Sequence, residues 1–361
     1  MESVKTGISG IIRAAASCIK SGGVVIFPTE TVYGIGADAT NSDAVKKIYL
    51  IKKRPPSNPL IVHVADIRMA KKFISDKIPS AALKLVKRFW PGPLTIVIKN
   101  TAGRIPSIVA AGLDTVAVRA PSHPVARALI RAVGLPIAAP SANISGRVSP
   151  TSYRHIIEDY FVKKKFSRAV LPDMAIPGGR CPRGIESTIV DVSGKTIKIL
   201  RQGAIPAEKI LSALKGFQVV ADGKTDKDPL VARAPGMMKK HYRPRRARVY
   251  LFPSEYGIFL WLCRKAARNI RHRRFFIIAT EFLKKRVRKL CGSGRGETAF
   301  VAGFGLYKNG EDLSRKLYGY LRKADAIKAD VILASLVEQR GLGRAVNDRL
   351  LRASFKNFFK R

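Results

Sequence analysis

The chain has 361 residues, 46% hydrophobic and 25% charged, a balance that is globular and neither disordered nor fibrous. Its formal net charge of +42 favours polyanionic partners. No apolar run approaches the roughly 20 residues needed to cross a bilayer, and Cys18, Cys181, Cys263 and Cys291 form no C-x-x-C pair, which argues against a zinc ribbon or disulfide framework.

The length allows two or three domains at roughly 100–200 residues each. The first twenty residues lack a cationic region followed by an apolar core and a cleavage site, so no signal peptide is read there. With the cysteine pattern, that points to a reduced, cytoplasmic compartment. The five histidines show no metal-binding spacing, and no metal-ligand set is expected.

In chain order, "GGVVIFPT" reads as a buried strand, because Val24 to Phe27 form a continuous β-branched and aromatic run. "SDAVKKIYLIKKR" reads as a helix started at Asn41 and Ser42. "NPLIVHVAD" is a strand, and "AALKLVKRFW" a helix ended by Pro91-Gly92-Pro93. "LTIVIKN", "TVAVRAP", "LPIAAPS", "STIVDVS" and "TIKILRQG" are further strands. "HPVARALIRAVG" is a helix with Pro at its start and Gly at its end. Such interleaving is an α/β pattern with a twisted, covered sheet.

From about Lys209 the periodicity fades into a Pro-, Gly- and charge-rich stretch, read as a linker. Strand and helix patterns then alternate again from "ARVYLF" to the helix beginning near Gly343, which suggests a smaller, parallel, Rossmann-like domain. The boundaries read as 1–208, 209–246 and 247–361. The basic residues concentrate late: Arg233 to Arg295 holds 19 Lys and Arg against Glu255 and Glu281.

The segment Gly34-Ile35-Gly36-Ala37-Asp38-Ala39 matches a dinucleotide-binding pattern only formally. Seven residues, Pro28 to Gly34, intervene after the strand, and the acidic residue expected about twenty positions on is replaced by the basic stretch around Lys52. The two glycines are expected to turn the backbone into the next helix. What remains is a polar loop at a strand end, with Thr29, Thr31 and Tyr33 hydroxyls and the Glu30 carboxylate. "KKRPPSNPL" sets Lys52 and Arg54 beside stiffening prolines and Asn58, a group suited to phosphates, although cations at a helix end also answer its dipole. Arg119 ends a strand, where an anionic ligand and a structural ion pair are equally consistent. "AAPSANISG" brings Ser141, Asn143 and backbone N–H groups to another strand end. Ser187 and Arg201 flank two more strands. Glu30 and Glu186 are isolated, and no Ser-His-Asp or Cys-His set is visible. This inventory of donors and cations suits the positioning and charge stabilisation of phosphates rather than covalent catalysis.

In their order, "PTETVYGIG", "KKRPPSNPLIVHV", "FWPGPLTIVI", "VAVRAPSHP", "APSANISG", "ESTIVDV" and "ILRQGAI" resemble the YrdC-like domain of threonylcarbamoyl-AMP synthases over about Ser9 to Ile205. "PGMMKKHYRP" and "GLGRAVNDRLLRAS" resemble the linker and C-terminal Rossmann-like domain of the family's long form. The resemblance implies a nucleotidyltransferase that joins L-threonine, bicarbonate or CO2 and ATP (with Mg²⁺) into L-threonylcarbamoyladenylate and pyrophosphate. A downstream transferase would then modify the adenosine next to the tRNA anticodon. The family's motifs imply Lys52, Arg54, Ser141 and Asn143 as the catalytic group. They imply Thr31, His63, Arg119 and Ser187 at threonine, and Arg54, Asn58, Thr115, Ser141, Ser149, Arg201 and Tyr242 at ATP. Lys239 replaces the family's usual inner tyrosine, which leaves Tyr242 as the linker contact. The alternative carried by the charge and by YrdC-like domains is a double-stranded RNA- or tRNA-binding protein without turnover.

Overall fold

The computed structural model describes residues 2–162, 170–220, 241–266, 274–291 and 301–358. The chain divides into two units: Met1–Ser145 with Ser149–Met238, and Gly146–Val148 with Lys239–Arg361.

The first unit runs α1 (Glu2–Lys20), β1 (Val25–Phe27), β2 (Gly34–Asp38), α2 (Ser42–Lys52), β3 (Ile61–His63), α3 (Ile67–Phe73), α4 (Ser80–Phe89), β4 (Leu94–Lys99) and α5 (Ser107–Ala110). It continues through β5 (Thr115–Arg119), α6 (Pro124–Val133), β6 (Ile137–Ala138), α7 (Tyr153–Ile156), β7 (Met174–Ala175), β8 (Thr188–Asp191), β9 (Ile197–Arg201), α8 (Ala207–Ala213) and β10 (Val219–Val220). Helix and strand therefore continue past residue 208 to Val220, and the stretch 221–240, with most of the expected linker motif, lies outside the described residues.

The ten strands form one mixed sheet in the order β10-β9-β8-β4-β5-β3-β6-β2-β1-β7. Alternation along β1 shows how the sheet is covered. Ile26 belongs to the core with Val62, Ile96 and Val118. Val25 and Phe27 point the other way, into a second core with Ala15 and Ile19 of α1 and Leu129 and Ile130 of α6. The Asn41 side chain caps α2 by accepting from the Asp43 and Ala44 amides, so α2 starts where sequence places it.

One expectation fails. Gly34 and Gly36 do not turn into a helix. They lie within β2, which pairs antiparallel with both β1 and β6. A Cβ on Gly36 would sit 2.6 Å from Ile137 Cγ2 and 2.8 Å from the Phe27 ring. Glycine is used because two neighbouring side chains crowd that face of the strand.

The second unit runs β11 (Arg248–Phe252), α9 (Glu255–Ala266), β12 (Phe275–Ala279), α10 (Glu281–Cys291), β13 (Val301–Leu306), α11 (Gly310–Ala326), β14 (Val331–Ser335), α12 (Gly343–Ala353) and β15 (Ser354–Asn357). Its strands pair only in parallel, in the order β13-β12-β14-β11-β15. β12 and β14 are buried along their whole length, the mark of a parallel sheet covered on both faces. This is the Rossmann-like pattern that the alternating sequence implies.

Candidate active site

The site of the first unit is assembled from strand ends and the loops that leave them. Thr29 ties the turn after β1. Its hydroxyl donates to Val32 O at 2.7 Å and accepts from the Thr31 amide, and it lies 2.8 Å from Thr31 Oγ1. This fixes the Thr31 hydroxyl toward Arg119, whose Nη1 donates to it at 2.9 Å.

Arg119 ends β5 and is buried. Its Nη2 donates to Glu30 Oε1 at 2.6 Å and its Nε to Gly92 O at 3.3 Å. Three of its five N–H groups are thus engaged, and one on each terminal nitrogen has no acceptor among the described residues. Ser122 N donates to the second Glu30 oxygen at 3.1 Å. Burial pushes the Glu30 carboxyl up, but Arg119 outweighs it and holds the group below its usual range. Glu30, isolated in the sequence, is therefore the partner that a buried arginine requires.

His63 pairs with Arg119 across β3 and β5. Its ring stands edge-on to Phe27, and Nδ1 lies 3.2 Å from Ile61 O. Burial, with help from the Arg119 charge, pushes its pKa down to about 3, so the imidazole is neutral.

The cationic half begins at the end of α2. Lys52 is buried, and its ammonium donates to the carbonyls of Ser141 and Asn143. Its own carbonyl accepts from Ser145 N at 2.9 Å. Lys52 thereby shapes the loop after β6. Within that loop Ser141 Oγ donates to Asn143 Oδ1 at 2.6 Å, and Asn143 Nδ2 donates to Ile144 O. Ala142 N donates to Tyr33 O, which ties this loop to the Thr31 turn. The Ser145 hydroxyl oxygen is buried without a protein partner among the described residues.

Arg54 folds back on the rigid Pro55-Pro56 segment. Nε donates to Asn58 O at 2.9 Å, and Nη2 donates to Asn58 Oδ1 and Pro59 O at 2.6 and 2.7 Å. Burial lowers the guanidinium to about 10, Tyr49 works against that, and the nearby Arg201 adds to it. The Lys52 ammonium is pushed well down by burial and then by Arg54. Among the described residues neither Lys52 nor Arg54 has a carboxylate partner. Buried positive charge left this way is costly until an anion arrives.

Arg201, at the end of β9, donates from Nε and Nη2 to Ser187 O at 3.0 and 2.9 Å and from Nη2 to Ser187 Oγ at 3.0 Å. Thr95 Oγ1 lies 2.7 Å from the same hydroxyl. Ser149 Oγ donates to Glu186 Oε1 at 2.8 Å, and Tyr33 N donates to the carbonyl of the adjoining Pro150.

Fixed hydrogen bonds and shared neighbours therefore join Thr31, Arg119, His63, Lys52, Ser141, Asn143, Arg54, Asn58, Arg201, Ser187 and Ser149. Thr115 stands apart, at the other end of β5 from Arg119. There it pairs with Lys99 of β4. Tyr242 lies in the second unit, where its buried ring stacks on Tyr318 at 5.3 Å and the Arg349 guanidinium sits 5.6 Å above it. Sequence reading missed the roles of Glu30, Glu186 and Thr95. The need of Arg119 for a counter-charge was the one available signal for the first of these.

The family described as telomere recombination (Sua5, YciO and YrdC proteins) matches residues 17–203, and the threonylcarbamoyl-AMP synthase C-terminal domain matches residues 205–354. The chain is 38% identical over 346 residues to the threonylcarbamoyl-AMP synthase of Pyrococcus abyssi, covering 95% of this chain and 94% of that protein. It is 38% identical over 352 residues to the Bacillus subtilis enzyme of the same name, covering 95% and 92%. The crystal structure of P. abyssi Sua5 complexed with L-threonine superposes with a TM-score of 0.80 at 36% identity, covering 96% of this chain and 94% of that one.

Proposed function

The chain belongs to the threonylcarbamoyl-AMP synthase family, and on that footing we propose how its site forms L-threonylcarbamoyladenylate from L-threonine, bicarbonate or CO2 and ATP. It is an enzyme of the transferase type. The finer assignment, nucleotidyl transfer to a carbamate with release of pyrophosphate, rests on the site's chemistry. The observation that carries it is the pairing of two buried cations without carboxylate partners among the described residues, Lys52 and Arg54, with a hydroxyl- and amide-rich loop held in one shape.

Threonine's carboxylate takes the two open N–H groups of Arg119, while Thr31 and Ser187 supply hydroxyl contacts and neutral His63 forms part of the wall. The amine adds to CO2 and loses a proton, or adds to the carbonyl carbon of bicarbonate with expulsion of water, and either route leaves a carbamate. A carbamate oxygen attacks the α-phosphorus of ATP, the bond to the β-phosphate oxygen breaks, and pyrophosphate leaves with the electron pair. Negative charge builds in both steps, and fixed cations and donors stabilise it without reorganisation. Arg54, with Arg201, faces the phosphates. Lys52 keeps the Ser141–Asn143 loop in place and adds its charge. Asn58, Thr115 and Ser149 line the nucleotide side. No protein nucleophile is required.

Mg²⁺ enters with ATP. Among the described residues no cluster of three or more His, Cys, Asp or Glu side chains could hold a metal. When bound with ATP the ion would keep several waters and share the substrate phosphates, with at most one or two protein carboxylates. The product would feed a downstream threonylcarbamoyl transferase acting on tRNA, with tRNA itself a further partner, in the cytoplasm.

The test is mass-spectrometric detection of threonylcarbamoyladenylate, with pyrophosphate release that requires both threonine and bicarbonate. Arg54→Ala should lower kcat/KM by about 10²–10³-fold, as expected when one charged donor to the transition state is removed. Full activity in that variant would overturn the phosphate assignment.

A further inference from the structure

We propose that the outer face shared by α9 and α10 of the second unit binds single-stranded nucleic acid, stacking bases on two exposed aromatic rings and holding phosphates on the cations around them. This surface contains none of the residues of the candidate active site, and the inference stands apart from the synthase reading.

The rings are Tyr256 on α9, 60% exposed, and Phe282 on α10, 63% exposed. Leaving two large rings in water is unfavourable unless something covers them. The two helices are tied at this face by Arg286, whose guanidinium lies 4.5 Å from the Phe282 ring and 5.8 Å from the Phe259 ring. The guanidinium over one face of Phe282 offers its own outer plane, and leaves the rest of the exposed ring, for a base to stack on.

The charge around the rings has one sign. Of the two acids on these helices, Glu255 is drawn away. Its carboxylate accepts from Thr280 N and Thr280 Oγ1 at 2.6 Å and from Tyr307 OH at 3.2 Å. Glu281 is ion-paired with Lys284 at 2.9 Å. Arg264, Lys285, Arg286, Arg288 and Lys289 remain, exposed and without an ion pair among the described residues. These cations share two neighbouring helices with the rings, the combination used to bind single strands without sequence preference.

Charge and composition decide against other occupants. A second copy of this face would bring the same five cations against these. A membrane surface would need a broad apolar stripe, whereas Tyr256, Leu260 and Phe282 are the only large hydrophobics exposed among the described residues of α9 and α10. A duplex keeps its bases stacked internally and offers the rings nothing.

The experiment uses the full chain and fluorescence anisotropy with a labelled oligouridylate, the same strand in duplex form, and phosphatidylcholine–phosphatidylserine vesicles. The single strand should bind best. The Tyr256→Ala/Phe282→Ala variant, which leaves every charge in place, should bind about 10–100-fold more weakly with an unchanged salt dependence, as expected for lost stacking. Lys285→Ala/Lys289→Ala should instead reduce the slope of log K against log salt by roughly 1.4, about 0.7 for each phosphate no longer neutralised. The single variants Phe282→Ala and Tyr256→Ala should each show part of the ring effect, and thermal melting reports folding. Binding by the ring variant within twofold of the parent, duplex binding as tight as single-strand binding, or association with vesicles alone would overturn the proposal. Adenylate formation by the same variants should be unchanged, which separates this surface from the synthase site.

Discussion

Replacing Glu30 by Gln tests whether a buried carboxylate positions Arg119, the arginine proposed to receive threonine's carboxylate. The Glu30–Arg119 contact is 2.6 Å, with the two side chains 6% and 4% exposed. At a charge separation of about 4 Å and an effective dielectric of 20, their attraction is about 4 kcal/mol. Desolvating each ion costs several kcal/mol, so the intact pair adds little net stability. Removing one member differs, because Arg119 stays buried and uncompensated at a cost of about 3–5 kcal/mol. For a unit of this size that lowers Tm by roughly 6–20 °C. The functional consequence follows from the donor count. The Glu30→Gln amide keeps one acceptor for Nη2 but removes the charge that holds the guanidinium and sets an NH2 donor against the Ser122 amide, so the two N–H groups proposed for the substrate carboxylate turn out of line. The threonine KM should rise about 10–100-fold, or ~1.4–2.8 kcal/mol, while the ATP KM stays within about twofold. Pyrophosphate release measured while each substrate is varied in turn gives the split, and a thermal melt gives the stability. An unchanged threonine KM in a variant whose Tm has fallen would refute the positioning role. Equal rises in both KM values would mean a general loosening. The wild-type pair also predicts acid sensitivity. The folded pKa of Glu30 lies below its usual 4.5, so its stabilisation is present above that pH and is lost as pH falls through the folded value.

Lys52→Met keeps most of the side-chain volume but orphans the carbonyls of Ser141 and Asn143. At about 1–3 kcal/mol for each buried unpaired group, it should lose roughly 2–6 kcal/mol and most of kcat, read by denaturant melts and pyrophosphate release. Parent stability would mean the carbonyls find other donors. His63, whose pKa is lowered to about 3, binds its proton in the unfolded chain from about pH 6.5 downward and in the folded chain only near 3. Stability should therefore fall as pH drops across that window, by up to about 1.4 kcal/mol per pH unit. His63→Gln should flatten this slope in urea melts, and a slope unaltered by the change would exclude the imidazole as its source. Gly36→Ala forces a methyl group against Ile137 and Phe27. A destabilisation of about 1–3 kcal/mol is expected, and a Tm equal to the parent's would show that the sheet relaxes freely.

Much of this protein is fixed by local sequence. Continuous apolar runs such as Val24–Phe27 can only be covered strands. Asn41 and Gly134 punctuate their helices through a side-chain cap and a left-handed turn. The ordered motifs carry the family and most of the site, because Lys52, Arg54, Ser141 and Asn143 each follow a strand or helix end readable from pattern alone. What the sequence could not decide is what each buried charge faces. Glu30 and Arg119 are 89 residues apart and meet only because β1 and β5 lie in one sheet. Lys52 donates to loop carbonyls 89 and 91 positions away, a pairing that no local pattern shows. The glycines of β2 read as a turn because a strand's need for glycine comes from side chains across the sheet, Phe27 and Ile137, and not from its own residues. Local preference and period fix the elements. Pairing between distant strands fixes which charges are compensated and which are left open for an anion.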